Sequence, residues 1–171
     1  KGLGEIVCGT LFQGEFALFQ DCPLATRLVS FTQSFVEEAL APHNPVEIHR
    51  HFDSAKLAEL LAATQRRYMQ SAEAKVAWTE FFSGTGIDIT GSARDRLVLR
   101  FQPPASTLAA SSYRSTATLG FHRDSWATNL YAQVNWWSPV FPVDSRRTLG
   151  VYPDLWRRAL ANNSAEFDLR L

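Results

Sequence analysis

The first half of the chain repeats its apolar side chains at helical spacing. The apolar positions of the first predicted helix lie at steps of four and three residues: Leu24, Leu28, Phe31, Phe35 and Ala39. This spacing predicts one face of an amphipathic helix, capped by Asp21 and ending before Pro42. Glycines interrupt the stretch before it, and we expect residues 1–20 to form a short strand or an extended arm.

Two further helical segments follow. A helix capped by Asp53 or Ser54 is predicted to extend to about Met69, since leucines supply an apolar face and alanines fill the positions between them. The segment Ala72–Phe82 is predicted either to continue this helix or to form a third one. Ser83 to Gly86 is expected to end the helical half of the chain.

The second half of the chain alternates apolar and polar residues and contains several prolines. The pattern predicts strands at 96–101, 130–137 and 148–152, each ended by a nearby proline. Helices followed by strands predict an α+β fold, with N-terminal helices packed on a jelly roll. We expect a single domain over residues 1–171, in which 1–86 are helical and 87–171 form the first part of the jelly roll. The jelly roll is therefore expected to be incomplete at its C-terminal side.

The composition narrows the class of protein. Hydrophobic residues make up 46% of the chain and charged residues 20%, which is typical of a globular domain. The 17 basic residues balance the 17 acidic ones, which argues against a nucleic-acid or anionic membrane surface as the main partner. No apolar run reaches the roughly 20 residues of a membrane span. With Cys8 and Cys22 as the only cysteines and no signal peptide, we expect free thiols and a cytoplasmic protein.

The candidate chemistry lies in the short segment around His122 and Asp124. On a strand, residues two apart point to the same face, so this imidazole and this carboxylate would lie side by side. Such a pair forms two corners of the facial triad that binds Fe(II) in non-haem oxygenases, with a second histidine contributed from elsewhere. The alternative is a half-buried histidine that hydrogen-bonds a neighbouring aspartate without a metal.

Other residues of the second half could complete a pocket. Gln133 and Asn135 share a strand face with Trp137, and their amides could bind a co-substrate or the neighbouring backbone. Arg100 and Gln102 share a face of the earlier strand and could meet a carboxylate or lie on a solvated edge. Trp126 and Trp137 are expected to line the pocket or to pack in the core.

A series of short motifs in order along residues 96–168 resembles a known family. The motifs are LRFQPP at 99–104, HRDSW at 122–126, QVNWWSPVFP at 133–142, YP at 152–153 and NSAEF at 163–167. Together they resemble the phytanoyl-CoA dioxygenase-like branch of the Fe(II)/2-oxoglutarate oxygenases, in particular bacterial members that act in secondary metabolism. The resemblance implies a double-stranded β-helix that holds one Fe(II), with His122 and Asp124 as metal ligands.

The resemblance also implies an activity. Such an enzyme binds 2-oxoglutarate as co-substrate and uses O2 to oxidise a C–H bond of a small molecule, releasing succinate and CO2. Gln133, Asn135, Arg100 and Gln102 are candidates to bind the co-substrate. Because Asp124 retains the carboxylate ligand, the resemblance implies hydroxylation, desaturation or oxidative cyclisation in a biosynthetic pathway rather than halogenation.

The sequence departs from the family pattern after Asp124. The family needs a second histidine downstream, followed by an arginine that binds 2-oxoglutarate, and no histidine follows Asp124 here. Since residue 1 is Lys, we expect the missing part of the site to lie in a longer protein. One alternative is a non-catalytic jelly-roll binding module that has lost the metal triad. Another is a cupin-like enzyme without 2-oxoglutarate that uses His49 and His51, which share a face if their segment is extended.

Overall fold

The structure is a computed structural model, which describes residues 16–88, 90–93, 97–104, 122–126 and 133–161. Regular structure in these ranges is helical and comprises α1 (Pro23–Leu40), α2 (Ser54–Gln70), α3 (Ala72–Thr85) and 3-10 turns at Ile48–Arg50, Asp124–Trp126 and Pro153–Leu155. Helix α1 packs against both α2 and α3. Of the helices in these ranges, none has both the length and the apolar character that a bilayer span requires.

Local side-chain chemistry explains where the helices begin and end. Asp53 caps α2, as predicted, because its Oδ1 accepts the Lys56 backbone N–H at 2.8 Å. Ser71 separates α2 from α3, and its Oγ accepts the Ala74 N–H, so residues 72–85 form a separate third helix. The prediction of Asp21 as the cap of α1 was wrong, since the N-cap residue is Cys22 and its side chain makes no capping hydrogen bond.

The core lies where the three helices meet the segment around Leu99. Its buried side chains are Val36, Leu40, Ile48, Leu57, Leu61, Tyr68, Ala74 and Leu99. Leu57 and Leu61 lie one helical turn apart on α2 and are 0% and 1% exposed, so this helix contributes the centre of the core. On α1 the buried residues are Thr32, Val36 and Leu40, which lie beside the predicted apolar face, and the five residues of that face are only partly buried.

One polar pair is built into this core. The hydroxyl of Thr32 on α1 lies 2.7 Å from the hydroxyl of Tyr68 on α2 and also donates to the Leu28 carbonyl at 2.9 Å. Because a threonine hydroxyl carries a single hydrogen, the Tyr68 hydroxyl must be the donor to Thr32. Burial is the largest influence on the Tyr68 hydroxyl and raises its pKa above the ordinary value.

Replacing Tyr68 by phenylalanine is expected to lower the free energy of unfolding by about 1 kcal/mol at neutral pH, because one buried hydrogen bond is lost. The folded protein holds the phenol proton more tightly than the unfolded chain does. The stability that this contributes is thus complete below about pH 10 and is lost as the pH rises further. Urea unfolding of both proteins between pH 7 and pH 11 checks this. A wild-type curve that falls no more steeply than that of Tyr68→Phe above about pH 10 would contradict it.

The predicted jelly roll is wrong for the part of the chain that the structure describes. Residues 97–101, 133–137 and 148–152 are extended or irregular and form no strand, and the regular structure of the described residues is helical. The alternation that suggested strands is nevertheless real. Leu97, Leu99 and Phe101 face the helices, whereas Val98 and Arg100 between them are exposed.

The described part of the chain contains no strand with which these segments could pair. A strand exists only when a neighbouring segment accepts and donates its backbone hydrogen bonds, and alternation reports only that two faces differ in burial. Here the carbonyl of Leu99 instead accepts a hydrogen bond from Gln65 Nε2 on α2 at 2.7 Å. The segment thus packs on a helix through a side-chain contact rather than on a sheet.

Several predictions fall on residues outside the described ranges. They concern the arm at 1–15 with Cys8, the first residue of the strand at 96–101, the start of the strand at 130–132 and the motif at 163–167. The division of the chain at residues 86 and 87 also stays a prediction.

Candidate functional site

His122 and Asp124 are in direct contact, as the sequence predicted. The Nε2 atom of His122 lies 3.2 Å from Oδ1 of Asp124. The His122 side chain is 29% exposed to solvent and the Asp124 side chain is 54% exposed, so both are accessible. The pair therefore presents one nitrogen and one oxygen donor at the surface.

The backbone that brings the two side chains together differs from the prediction. Asp124 begins the 3-10 turn Asp124–Trp126, in which the Trp126 N–H donates to the Arg123 carbonyl at 2.9 Å. The alternation of a strand was the reason for placing His122 and Asp124 on one face. Instead, a 3-10 turn that begins at Asp124 brings the two side chains into contact.

Two amide side chains extend this pair into a hydrogen-bonded chain. Asn135 Nδ2 donates to Oδ2 of Asp124, and Gln133 Nε2 donates to Oδ1 of Asn135 at 2.8 Å. Gln133 and Asn135 lie on the exposed side of their segment, as the predicted polar face required. The structure thus brings four of the predicted site residues together.

Arg123 lies between the two candidate ligands and holds another segment against them. Its Nη2 donates to the carbonyls of Leu155 and Arg158, which belong to the turn after Tyr152. Asp144, in the neighbouring segment, accepts hydrogen bonds from Arg147 and from the Arg146 backbone N–H, and these contacts, led by the backbone one, hold its pKa below the ordinary value.

An aromatic cluster attaches the Gln133–Trp137 segment to the helices. The ring centroid of Trp136 lies 5.5 Å from that of Phe81 and 5.9 Å from that of Phe82, both edge-to-face, and 6.2 Å from that of Phe19. Edge-to-face packing at such distances is favourable for aromatic pairs. Trp136 therefore fixes the segment that carries Asn135 on α3.

Four other predicted site residues are also described by the structure. Arg100 and Gln102 are on the exposed side of the segment that packs on α2. Trp126 is half-buried within the turn that follows Asp124, and Trp137 is 54% exposed. Their assignment to a co-substrate or substrate pocket stays a prediction. The anchoring role of Trp136 was not predicted from the sequence. The signal for it was that Trp136 lies on the apolar side of the alternating segment.

The His49 and His51 pair required by the cupin-like alternative does not form in the predicted way. That prediction needed an extended segment, but residues Ile48–Arg50 form a 3-10 turn, in which residues two apart point in different directions. The ring of His51 instead lies beside that of His43, with centroids 4.6 Å apart. This arrangement gives no support to a metal pair at 49 and 51.

The donor pair at His122 and Asp124 fits a divalent metal in its chemistry. Imidazole and carboxylate are ligands that Fe(II) accepts. Two ligand atoms about 2.1 Å from a metal and about 90° apart lie about 3 Å from each other, close to the observed contact. Within the described ranges no group of three His, Cys, Asp or Glu side chains is placed to hold a metal, so the pair forms a partial site there.

Comparison with protein-family models, with curated proteins and with solved structures gives no match to this chain. The resemblance to the phytanoyl-CoA dioxygenase-like family therefore rests on the ordered short motifs alone.

Proposed function

We propose that the chain belongs to a non-haem Fe(II)/2-oxoglutarate-dependent oxygenase that oxidises a C–H bond of a small molecule in a biosynthetic pathway of the cytoplasm. The observation that carries the proposal is the contact between His122 and Asp124. It is supported by the order of the motifs around that contact.

Three features of the pair favour a metal-ligand role over a purely structural one. Both side chains are accessible from solvent, so a metal ion could reach them. The carboxylate is oriented by Asn135, which is typical of the hydrogen-bonded surroundings of metal ligands. The intervening Arg123 directs its guanidinium to the carbonyls of residues 155 and 158, so its positive charge is hydrogen-bonded to the backbone of that segment.

The roles of the residues follow from these contacts. His122 and Asp124 would hold Fe(II), which together with 2-oxoglutarate and O2 supplies the oxidation of the C–H bond. Asp124 contributes a negative charge that favours a divalent cation. Arg123 and the 3-10 turn at Asp124 fix the backbone from which both ligands project.

Replacing either His122 or Asp124 by alanine is expected to reduce Fe(II) affinity at least about tenfold, because each variant removes one of two ligands. Isothermal titration of the anaerobic protein with Fe(II) measures this. Formation of succinate from 2-oxoglutarate, followed by proton NMR under air, is expected to fall in both variants.

His51→Ala is the matched control, since it removes an imidazole that the proposal does not use. Its Fe(II) affinity is expected to equal that of the wild type. Loss of metal in His51→Ala alone would favour the cupin-like alternative. Failure of the wild-type protein to bind Fe(II) would contradict the proposal and favour the non-catalytic binding module.

A further inference from the structure

The two oxygens of the Asp124 carboxylate have different partners. Oδ1 faces His122 Nε2 at 3.2 Å, whereas Oδ2 accepts a hydrogen bond from Asn135 Nδ2. The oxygen of the Asn135 amide in turn accepts from Gln133 Nε2 at 2.8 Å. A carboxylate only accepts hydrogen bonds, so the amide nitrogen of Asn135 must face Asp124 and its oxygen must face Gln133.

We propose that Asn135 is a positioning residue that holds Oδ2 of Asp124 and so presents Oδ1 to the metal as a single-oxygen ligand. The inference rests on the proposed function. Without Asn135 the carboxylate could rotate about its Cβ–Cγ bond and offer either oxygen or both. A carboxylate that binds through one oxygen occupies a single coordination position, which leaves the others for 2-oxoglutarate and O2.

This role differs from the one that the sequence suggested for Asn135. The sequence pointed to co-substrate binding by the amides of Gln133 and Asn135. In the structure the Asn135 amide nitrogen is directed at Asp124, and Gln133 supports Asn135 from its other side. Asn135 therefore acts through Asp124, and Gln133 acts one step further away.

The aromatic anchor explains why this contact is held in place although Asn135 is exposed. Asn135 is adjacent to Trp136, whose ring packs on Phe81 and Phe82 of α3. The backbone at Asn135 is thus fixed from the opposite face. A donor with a fixed backbone loses less conformational freedom when it orients a neighbour.

The test is a titration of the whole chain with Co(II), which serves as a spectroscopic probe for the Fe(II) position. Asn135→Ala is expected to weaken Co(II) binding by about 10- to 100-fold and to alter the visible absorption bands of the bound ion, because the outer-shell partner of a ligand is lost. Gln133→Ala, on the same segment, is expected to have a smaller effect. The melting temperature of Asn135→Ala should stay at the wild-type value, since the side chain is exposed.

The outcomes separate this inference from the proposed function. If the wild type binds Co(II) and Asn135→Ala binds it with the same affinity and spectrum, the positioning role is wrong and the proposed function stands. If the wild type binds no Co(II), both are overturned. An Asn135→Ala protein that loses affinity and also unfolds at a lower temperature would point to a structural role and count against the inference.

Discussion

Replacing Leu57 by alanine is expected to lower the free energy of unfolding by about 2–5 kcal/mol. Leu57 is 0% exposed at the centre of the cluster that joins α1, α2 and the segment around Leu99. The variant loses the transfer free energy of the leucine side chain and leaves a cavity that three packed elements can fill only in part. The total free energy of unfolding of a small domain is about 5–15 kcal/mol, so the expected loss is a large fraction of it.

Leu18→Ala provides the matched control. It makes the same chemical change at a side chain that is 76% exposed, and its effect is expected to stay within about 0.5 kcal/mol. Urea unfolding followed by circular dichroism at 222 nm measures both variants. Equal midpoints for the two would show that the helices do not pack as the structure describes.

The helices were predictable because their signals are local. The apolar steps of three and four residues in α1 and the Asp53 cap of α2 lie within one or two turns of the residues they affect. The Asp21 prediction shows the limit of such signals. Asp21 has a positive φ of 51° in the turn before α1, so the helix starts one residue later than its side chain would require for a cap.

The prediction of a sheet was wrong because strand pairing is a non-local property that alternation does not report. The alternation at 97–101 correctly indicates which side chains face inward, and Leu99 is buried as expected. Nothing in that alternation states whether the inward face meets another strand or a helix. In the structure the inward face packs against α2, and Gln65 of that helix donates a hydrogen bond to the Leu99 carbonyl.

In the candidate site, too, the local contact was predicted and the non-local one was not. The spacing of His122 and Asp124 led to the prediction that they lie side by side on a strand, and the structure brings them into contact at a 3-10 turn that begins at Asp124 instead. The contact from Asn135 to Asp124 spans eleven residues and depends on how the Trp136 segment packs on α3. Sequence alone could place Asn135 on a polar face but could not show which group that face would meet.

Trp136 is the residue that connects stability to the site, and replacing it by alanine is expected to lower the free energy of unfolding by about 2–4 kcal/mol. The variant removes edge-to-face contacts with Phe81 and Phe82 and the stacked contact with Phe19. Because Asn135 is adjacent, release of the segment should also free Asp124. Under conditions where the variant is still folded, Co(II) affinity should therefore fall by a factor similar to that for Asn135→Ala.

Trp137→Ala, at the neighbouring position, separates this effect from a general response to losing a tryptophan. Trp137 is 54% exposed, and its replacement is expected to change stability by less than about 1 kcal/mol and to leave Co(II) affinity unchanged. Urea unfolding and Co(II) titration of the two variants in parallel provide the comparison. If Trp136→Ala retained Co(II) affinity despite its lower stability, the metal pair would be held by Arg123 and its own turn, independently of the α3 anchor.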